Sequence, residues 1–253
     1  MTWNPDQYLK FQAEREAPFY DLISHLKPVE RPSIIDLGCG PGNLTVKLLD
    51  RFPDARVLGI DSSPEMLVKA AGLATEQVQF AMQDLREVQG EHDIVFSHAV
   101  LQWLPDHPGV LQHMWNLLKP GGQLAVQLPS NFDHATHRIA RELVQKDPYR
   151  EFVSPEGAHR NVLPLDQYAE VLYALGGQDI QCYQKVYPHV VPGAEGMLEW
   201  VKGTLLVPIL GSLPEELKES FLMDMLSELK VLYPGDQVFY GFKRTLLYAQ
   251  RSS

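Results

Sequence analysis

The chain has 253 residues, 45% of them apolar, enough to bury one large core with a modest appended lobe and too apolar for a disordered chain. Its 22 basic residues stand against 32 acidic ones, a formal net charge of -10, and such a surface repels phosphate backbones and anionic lipid, which sets nucleic acid aside as a partner. No window approaches the roughly eighteen apolar residues of a membrane span, and the first residues show no basic stretch followed by an apolar core, so a cytoplasmic protein without a membrane partner is expected. Cys39 and Cys182 are too few for a disulfide framework and belong to no metal-ligand spacing, so both read as reduced thiols.

In chain order, Asp6 to Leu26 carries Tyr8, Phe11, Phe19, Leu22, Ile23 and Leu26 at mixed three- and four-residue intervals broken at Pro18, which predicts two short amphipathic helices laid across the core. From Ser33 to Leu128, apolar β-branched runs alternate with segments of helical period, the pattern of a parallel sheet covered on both faces. Strands are expected at Ser33 to Leu37, Arg56 to Ile60, Val78 to Met82, Asp93 to Ser97 and Gln123 to Leu128. Helices fall near Asn43 to Arg51, Pro64 to Ala74 and Pro108 to Leu118, with Pro53 and Pro120-Gly121-Gly122 as stops. Beyond them, Ala135 to Val144, Leu165 to Leu175, Gly193 to Lys202 and Pro214 to Leu232 read as helices, and Asp179 to Val186 and Val238 to Ala249 as strands. Leu217, Phe221, Met225 and Leu229 recur at four-residue steps, the stripe of a core-facing helix.

The expected fold is therefore α/β: a Rossmann-like, doubly wound, mostly parallel sheet with an antiparallel edge strand and a helical lid above the strand C-terminal ends. On this reading residues 1–30 are N-terminal helices covering the cofactor site, 31–130 the cofactor-binding core, and 131–253 lid insertions plus the final strands of the sheet.

Ile34-Ile35-Asp36-Leu37-Gly38-Cys39-Gly40-Pro41-Gly42 is an apolar strand carrying an acid that runs into a glycine-rich turn opening a helix. Glycine accepts backbone conformations closed to other residues, and a helix start supplies free N–H groups for a ligand's polar end. A mononucleotide P-loop needs Gly-Lys-Ser or Gly-Lys-Thr, and the chain has neither. The dinucleotide fingerprint puts its third glycine three positions after the second, where this chain has Asn43. An acid beside the turn repels a pyrophosphate, yet it suits a cofactor carrying an α-ammonium and a sulfonium. That selects S-adenosylmethionine over NAD.

Asp61 closes the second strand, 23 positions beyond Gly38, where a carboxylate can accept both ribose hydroxyl protons. Asp84 follows the third strand, placed to take the adenine amino group, with Leu85 donating from its backbone. The cofactor set is then Asp36, Gly38, Cys39, Gly40 and Asn43 of the turn, Asp61, Ser62 and Met66 after the second strand, Asp84 and Leu85 after the third, and Ser97 and Trp103 around the fourth. His98, just past the fourth strand, is placed where a transferred methyl meets its acceptor. His134 and His137 lack a third ligand, so no metal is expected.

With these motifs the chain resembles class I methyltransferases, and over nearly its whole length it resembles the trans-aconitate methyltransferase family. The matching stretches are Trp3-Asn4-Pro5 with Tyr8-Leu9-Lys10-Phe11 and Glu14-Arg15, then Asp36 to Asn43, Gly59-Ile60-Asp61-Ser62-Ser63-Pro64 with Met66, and Leu101-Gln102-Trp103-Leu104-Pro105-Asp106-His107. Later come Ala125-Val126-Gln127-Leu128-Pro129, Glu199-Trp200-Val201-Lys202-Gly203-Thr204, and Arg244 in the final strand. The resemblance implies methyl transfer to a carboxylate of a small di- or tricarboxylic acid, a reaction that needs no general base because a carboxylate is already ionised. A polyanion entering a chain of charge -10 needs local cations. Arg15, Arg141, Arg160, Lys202 and Arg244 are the candidates, with Arg15 and Arg244 at family positions, and Tyr8 joins the acceptor set. Where the family reads Gly-Leu-Arg-Pro, this chain has Leu205-Leu206-Val207-Pro208. Val207 thus removes one carboxylate contact and leaves the acceptor open between trans-aconitate and a smaller or less charged acid. The rival readings are a malonyl-carrier-protein methyltransferase, which predicts a basic docking face, and a protein that binds S-adenosylmethionine without transferring its methyl.

Overall fold

The computed structural model describes residues 12–154 and 162–253. Its strands are β1 (Ser33–Leu37), β2 (Arg56–Asp61), β3 (Val78–Met82), β4 (His92–His98), β5 (Leu118–Pro129), β6 (Gln178–Pro192) and β7 (Gln237–Gln250). Its helices are α1 (Gln12–Ser24), α2 (Leu48–Arg51), α3 (Pro64–Ala70), α4 (His107–Asn116), α5 (Ala135–Leu143), α6 (Leu165–Ala174), α7 (Gly193–Lys202), α8 (Leu206–Ser212) and α9 (Glu215–Leu232).

The seven strands form one sheet in the order β3-β2-β1-β4-β5-β7-β6. β1 to β5 pair in parallel, and β7 runs antiparallel to β5 from Gln123 opposite Gln250 to Pro129 opposite Arg244. This is the mostly parallel, doubly wound sheet with antiparallel pairing toward one edge that the alternation of runs implies. From β1 the chain winds to β2 and β3 on one side, then crosses to β4 and β5 on the other. The switch point lies between the C-terminal ends of β1 and β4, where sheets of this kind take their ligands.

The chain clusters into two compact units. The first comprises residues 13–129, 162–185 and 244–253. On one face of its sheet Ile34, Ile94, Phe96, Ala125, Leu246 and Tyr248 pack with Phe19, Leu22, Ile23 and Leu26. On the other, Ile35, Val95, Leu124 and Leu247 pack with Leu111 and Met114 of α4 and Tyr168 and Leu172 of α6. His107 Nδ1 and the Tyr168 hydroxyl, 2.5 Å apart, tie those two helices together. The second unit comprises residues 130–154 and 186–243, where the expected stripe of Phe221, Met225 and Leu229 packs with Ile139, Leu143, Met197 and Trp200. No helix among the described residues is long and apolar enough to cross a membrane.

Three local expectations change, and one helix is added. α1 runs unbroken through Pro18, where a break was expected; the part of the expected helical segment before Gln12 lies outside the described residues. An interior proline costs about 3 kcal/mol, but burial of Phe19, Leu22 and Ile23 at roughly 1.5–3 kcal/mol each outweighs it. The segment Asn43 to Lys47 forms turns, with Lys47 N–H donating to Leu44 O and Leu48 N–H to Thr45 O, so regular helix begins only at α2. Pro120-Gly121-Gly122 lies inside β5 as an irregularity: pairing with β4 jumps from His92 opposite Leu118 to Ile94 opposite Gln123. α8 has no counterpart among the expected helices; Pro208 stands in its first turn, where no intrahelical N–H bond is lost.

Candidate active site

The glycine turn is held against β2 by two backbone bonds, Gly38 N–H and Cys39 N–H both donating to Ile60 O at 2.8 Å. Gly38 has φ 81, and a Cβ there would stand 2.3 Å from Val100 Cγ2, so neither the conformation nor the space admits a side chain. Gly40 has φ 55 and no atom within 4 Å of its missing Cβ. Its outer side is open backbone that a ligand can approach. Asp61 joins turn and strand: Oδ2 accepts from Gly40 N–H and Oδ1 from Ser63 N–H, each at 2.9 Å. Each oxygen keeps a second acceptor direction.

Behind the turn Asp36 is 3% exposed. Thr45 Oγ1 donates to its Oδ2 at 2.6 Å. Burial pushes the Asp36 carboxyl up to about 7, opposed by the Thr45 hydrogen bond and reinforced by the Asp61 charge. Burial, with the same two acids, also pushes the Cys39 thiol far up. Cys39 is therefore no nucleophile, and it fills space in the turn. Asn43 is half-buried at the start of the following turn.

The other expected cofactor residues fall around the same strand ends. Ser62 is exposed, and Met66 is buried in α3, whose N-cap Ser63 takes the Met66 N–H at 3.3 Å. Asp84 caps the short 3-10 helix Leu85–Glu87: its Oδ1 accepts from Arg86 N–H and Nε, both at 2.9 Å. The bonds from Arg86 hold the Asp84 carboxyl down at about 2. Leu85 is buried in the core. Ser97 is fully buried and its hydroxyl donates to Leu37 O at 2.9 Å, tying β4 to β1. Trp103 is half-buried on the 3-10 helix Leu101–Trp103. Much of the string around it is helix-start chemistry, since Asp106, at φ 52, caps α4 by accepting from Gly109 N–H.

Among the expected acceptor residues, His98 is buried at the end of β4, edge-on to Phe19 with centroids 6.0 Å apart. Arg244 is 6% exposed on β7, opposite Pro129 of β5. Lys202 is half-buried and paired with Glu199 of the same helix at 3.3 Å. Arg141 donates to Phe132 O at 2.9 Å. Val207 is half-buried in α8. Tyr8, Arg160 and the side chain of Arg15 lie outside the described residues. Among the described residues no cluster of His, Cys, Asp and Glu could hold a metal. Sequence reasoning passed over Thr45, although an acid buried in a central strand needs a donor, and a hydroxyl nine positions on was the available one.

A doubly wound sheet whose switch point carries an open glycine turn, a buried acid behind it and an acid at the end of the neighbouring strand is a Rossmann-like site of the kind that takes a nucleoside cofactor. The chain matches a family model described as a methyltransferase domain over residues 30–170. It is 44% identical to a trans-aconitate 2-methyltransferase of Deinococcus radiodurans over 99% of both chains. It is 36% identical to the protein of that name from Escherichia coli O157:H7, covering 99% of this chain and 98% of the other. Among solved structures, the YcgJ protein of Bacillus subtilis superposes with TM-score 0.64 at 15% identity, covering 94% of this chain and 99% of that one. Phosphoethanolamine N-methyltransferase 2 of Haemonchus contortus, in complex with S-adenosyl-L-methionine, gives TM-score 0.57 at 18% identity, covering 94% and 53%. The chain belongs to the trans-aconitate 2-methyltransferase family and is an S-adenosylmethionine-dependent methyltransferase. The site fits that cofactor: the open side of Gly40 gives it backbone to lie against, the Asp61 oxygens each keep an acceptor direction for a ribose hydroxyl, and Asp36 carries a carboxyl whose ionised form suits a cation.

Proposed function

We propose that the chain esterifies a carboxylate of a small di- or tricarboxylic acid, with trans-aconitate as the leading acceptor, and that it works in the cytoplasm. The observation that carries this reading is Arg244: a guanidinium, always charged and shaped to bind a carboxylate bidentately, buried at the acceptor end of the sheet in a chain of net charge -10. The relatives, trans-aconitate 2-methyltransferases by name, supply the acceptor.

Bound S-adenosylmethionine supplies an electrophilic methyl group. In the proposed site Asp61 accepts from the ribose hydroxyls, Asp84 and Leu85 receive the adenine, and Asp36 with the turn from Gly38 to Asn43 holds the cationic amino-acid end. Arg244 and His98, with Tyr8, Arg15 and Lys202, would receive the acid. The residues do no proton chemistry on the acceptor, because its carboxylate is ionised at neutral pH. Their work is to hold the attacking oxygen in line with the methyl carbon and exclude water. The Cys39 side chain, its thiol pushed up by burial, does no chemistry there.

Isothermal titration with S-adenosylhomocysteine and then trans-aconitate, followed by mass spectrometry of a complete reaction for a methyl ester, tests the reading. Heat from the second ligand and a product heavier by one methylene support it. Binding of the first ligand alone, with no ester formed, refutes the acceptor.

A further inference from the structure

Two glutamines stand four residues apart on β5 and on the same face of the sheet, yet their surroundings are opposite. Gln123 is bonded at both polar atoms: Oε1 accepts from Lys27 N–H at 2.7 Å and the Tyr248 hydroxyl at 3.0 Å, and Nε2 donates to Lys27 O at 3.1 Å. Gln127 is 0% exposed, and among the described residues neither its Nε2 nor its Oε1 has a hydrogen-bond partner. A buried amide with nothing to bond is costly and is normally avoided. Gln123 shows how this strand treats a glutamine that serves the fold.

The position of Gln127 says what its amide meets. It sits at the C-terminal end of β5, in register with His98 of β4 on one side and Leu246 of β7 on the other. Alternation puts all three on the face that carries Phe96, Ala125 and Tyr248. Phe19 lies over that face beside His98. Arg244, two residues before Leu246, belongs to the same face one step further out.

We infer that Gln127 is an acceptor-binding residue, whose side-chain amide donates to a carboxylate of the acid substrate and so fixes which way the acid lies. This rests on the proposed carboxyl transfer. Nε2 offers N–H donors to a carboxylate, while Oε1 repels one. The amide therefore admits a carboxylate on one side only, and it orients an acid that a guanidinium alone would hold loosely. The bare amide is the cost of that selectivity in the free protein, since a site built to hydrogen-bond a substrate leaves its own groups unmatched until the substrate arrives.

Wild-type turnover of trans-aconitate is measured first, because it reads the acceptor itself. Gln127→Leu and the isosteric Gln127→Glu are then compared for KM, kcat, S-adenosylhomocysteine affinity and Tm. The expected result for Gln127→Leu is a KM for the acid raised about tenfold or more, cofactor affinity unchanged and Tm equal to or above wild type. Gln127→Glu is expected to raise KM further as pH rises and its carboxyl ionises; it decides the matter if the leucine variant does not fold. Wild-type KM in either folded variant overturns the role of Gln127 while the acceptor stands, and so does a Gln127→Leu protein that loses Tm and cofactor affinity together. A wild type that binds the cofactor product but leaves trans-aconitate unmethylated overturns the acceptor and this role with it.

Discussion

Gly38 and Val100 close on each other so tightly that a Cβ on the glycine would come within 2.3 Å of Val100 Cγ2. The turn after β1 and the segment after β4 thus touch at the switch point, with φ 81 at Gly38 as a second constraint. Gly38→Ala is expected to cost about 1–2 kcal/mol in backbone strain and about 1–3 kcal/mol in overpacking. Val100→Ala should recover the second part and leave the first. Denaturant unfolding of the two single variants and the double variant measures the split; additivity would show that the clash is not what Gly38 avoids.

Asp36 should make stability and cofactor affinity respond to pH in opposite directions. Its carboxyl is raised from 3.8 to about 7 in the folded chain. Between those values the folded protein holds a proton that the unfolded protein has released, so this group's contribution to stability falls as pH rises from about 4 to about 7. A cationic cofactor favours the ionised form, so binding of S-adenosylmethionine should tighten over the upper part of that window. Asp36→Asn is expected to flatten both profiles and to be the more heat-stable protein above the window. Tm and titration calorimetry across the range read both; an unaltered profile in Asp36→Asn would assign the pH response elsewhere.

Asp61→Asn should weaken the cofactor without unfolding the chain. The carboxylate takes Gly40 N–H and Ser63 N–H at once, and a neutral amide oxygen can accept only on one side. Hydrogen bonds to a charged group contribute about 1.5–3 kcal/mol, so affinity for S-adenosylhomocysteine is expected to drop about ten- to a hundredfold. Calorimetry with a Tm control checks it. A Tm loss without an affinity loss would make Asp61 a brace for the turn and nothing more.

Arg244→Lys keeps the charge and loses the fork. Because a lysine ammonium binds a carboxylate as a point charge, the acid's KM should rise about tenfold while the affinity for S-adenosylhomocysteine holds. A KM unchanged in Arg244→Lys would move the cation requirement to another residue.

The sheet could be read from the sequence because each strand carries its own signal. Ile34-Ile35 and Val95-Phe96 are buried on both faces and so are apolar throughout, and the stops between strands are prolines and glycines. The helix starts were less legible. Pro18 read as a breaker, but burial of Phe19 and Leu22 decides for a continuous helix, and α8, with Pro208 in its first turn, was not anticipated. In the site, the acids at strand ends stood out by type and spacing. Thr45 and Gln127 did not, because a threonine or glutamine in a chain looks the same whether its polar atoms are bonded or bare. Only the pairing of Thr45 with Asp36, and the contrast between Gln127 and Gln123, separates them.

The burial of Asp36 has a bearing on the end of the catalytic cycle. S-adenosylhomocysteine lacks the sulfonium charge but keeps the α-ammonium that Asp36 is proposed to hold, so the carboxyl has much the same reason to stay ionised around the product as around the cofactor. Inhibition by the product should therefore follow the same pH trend as cofactor binding, weakening below neutrality.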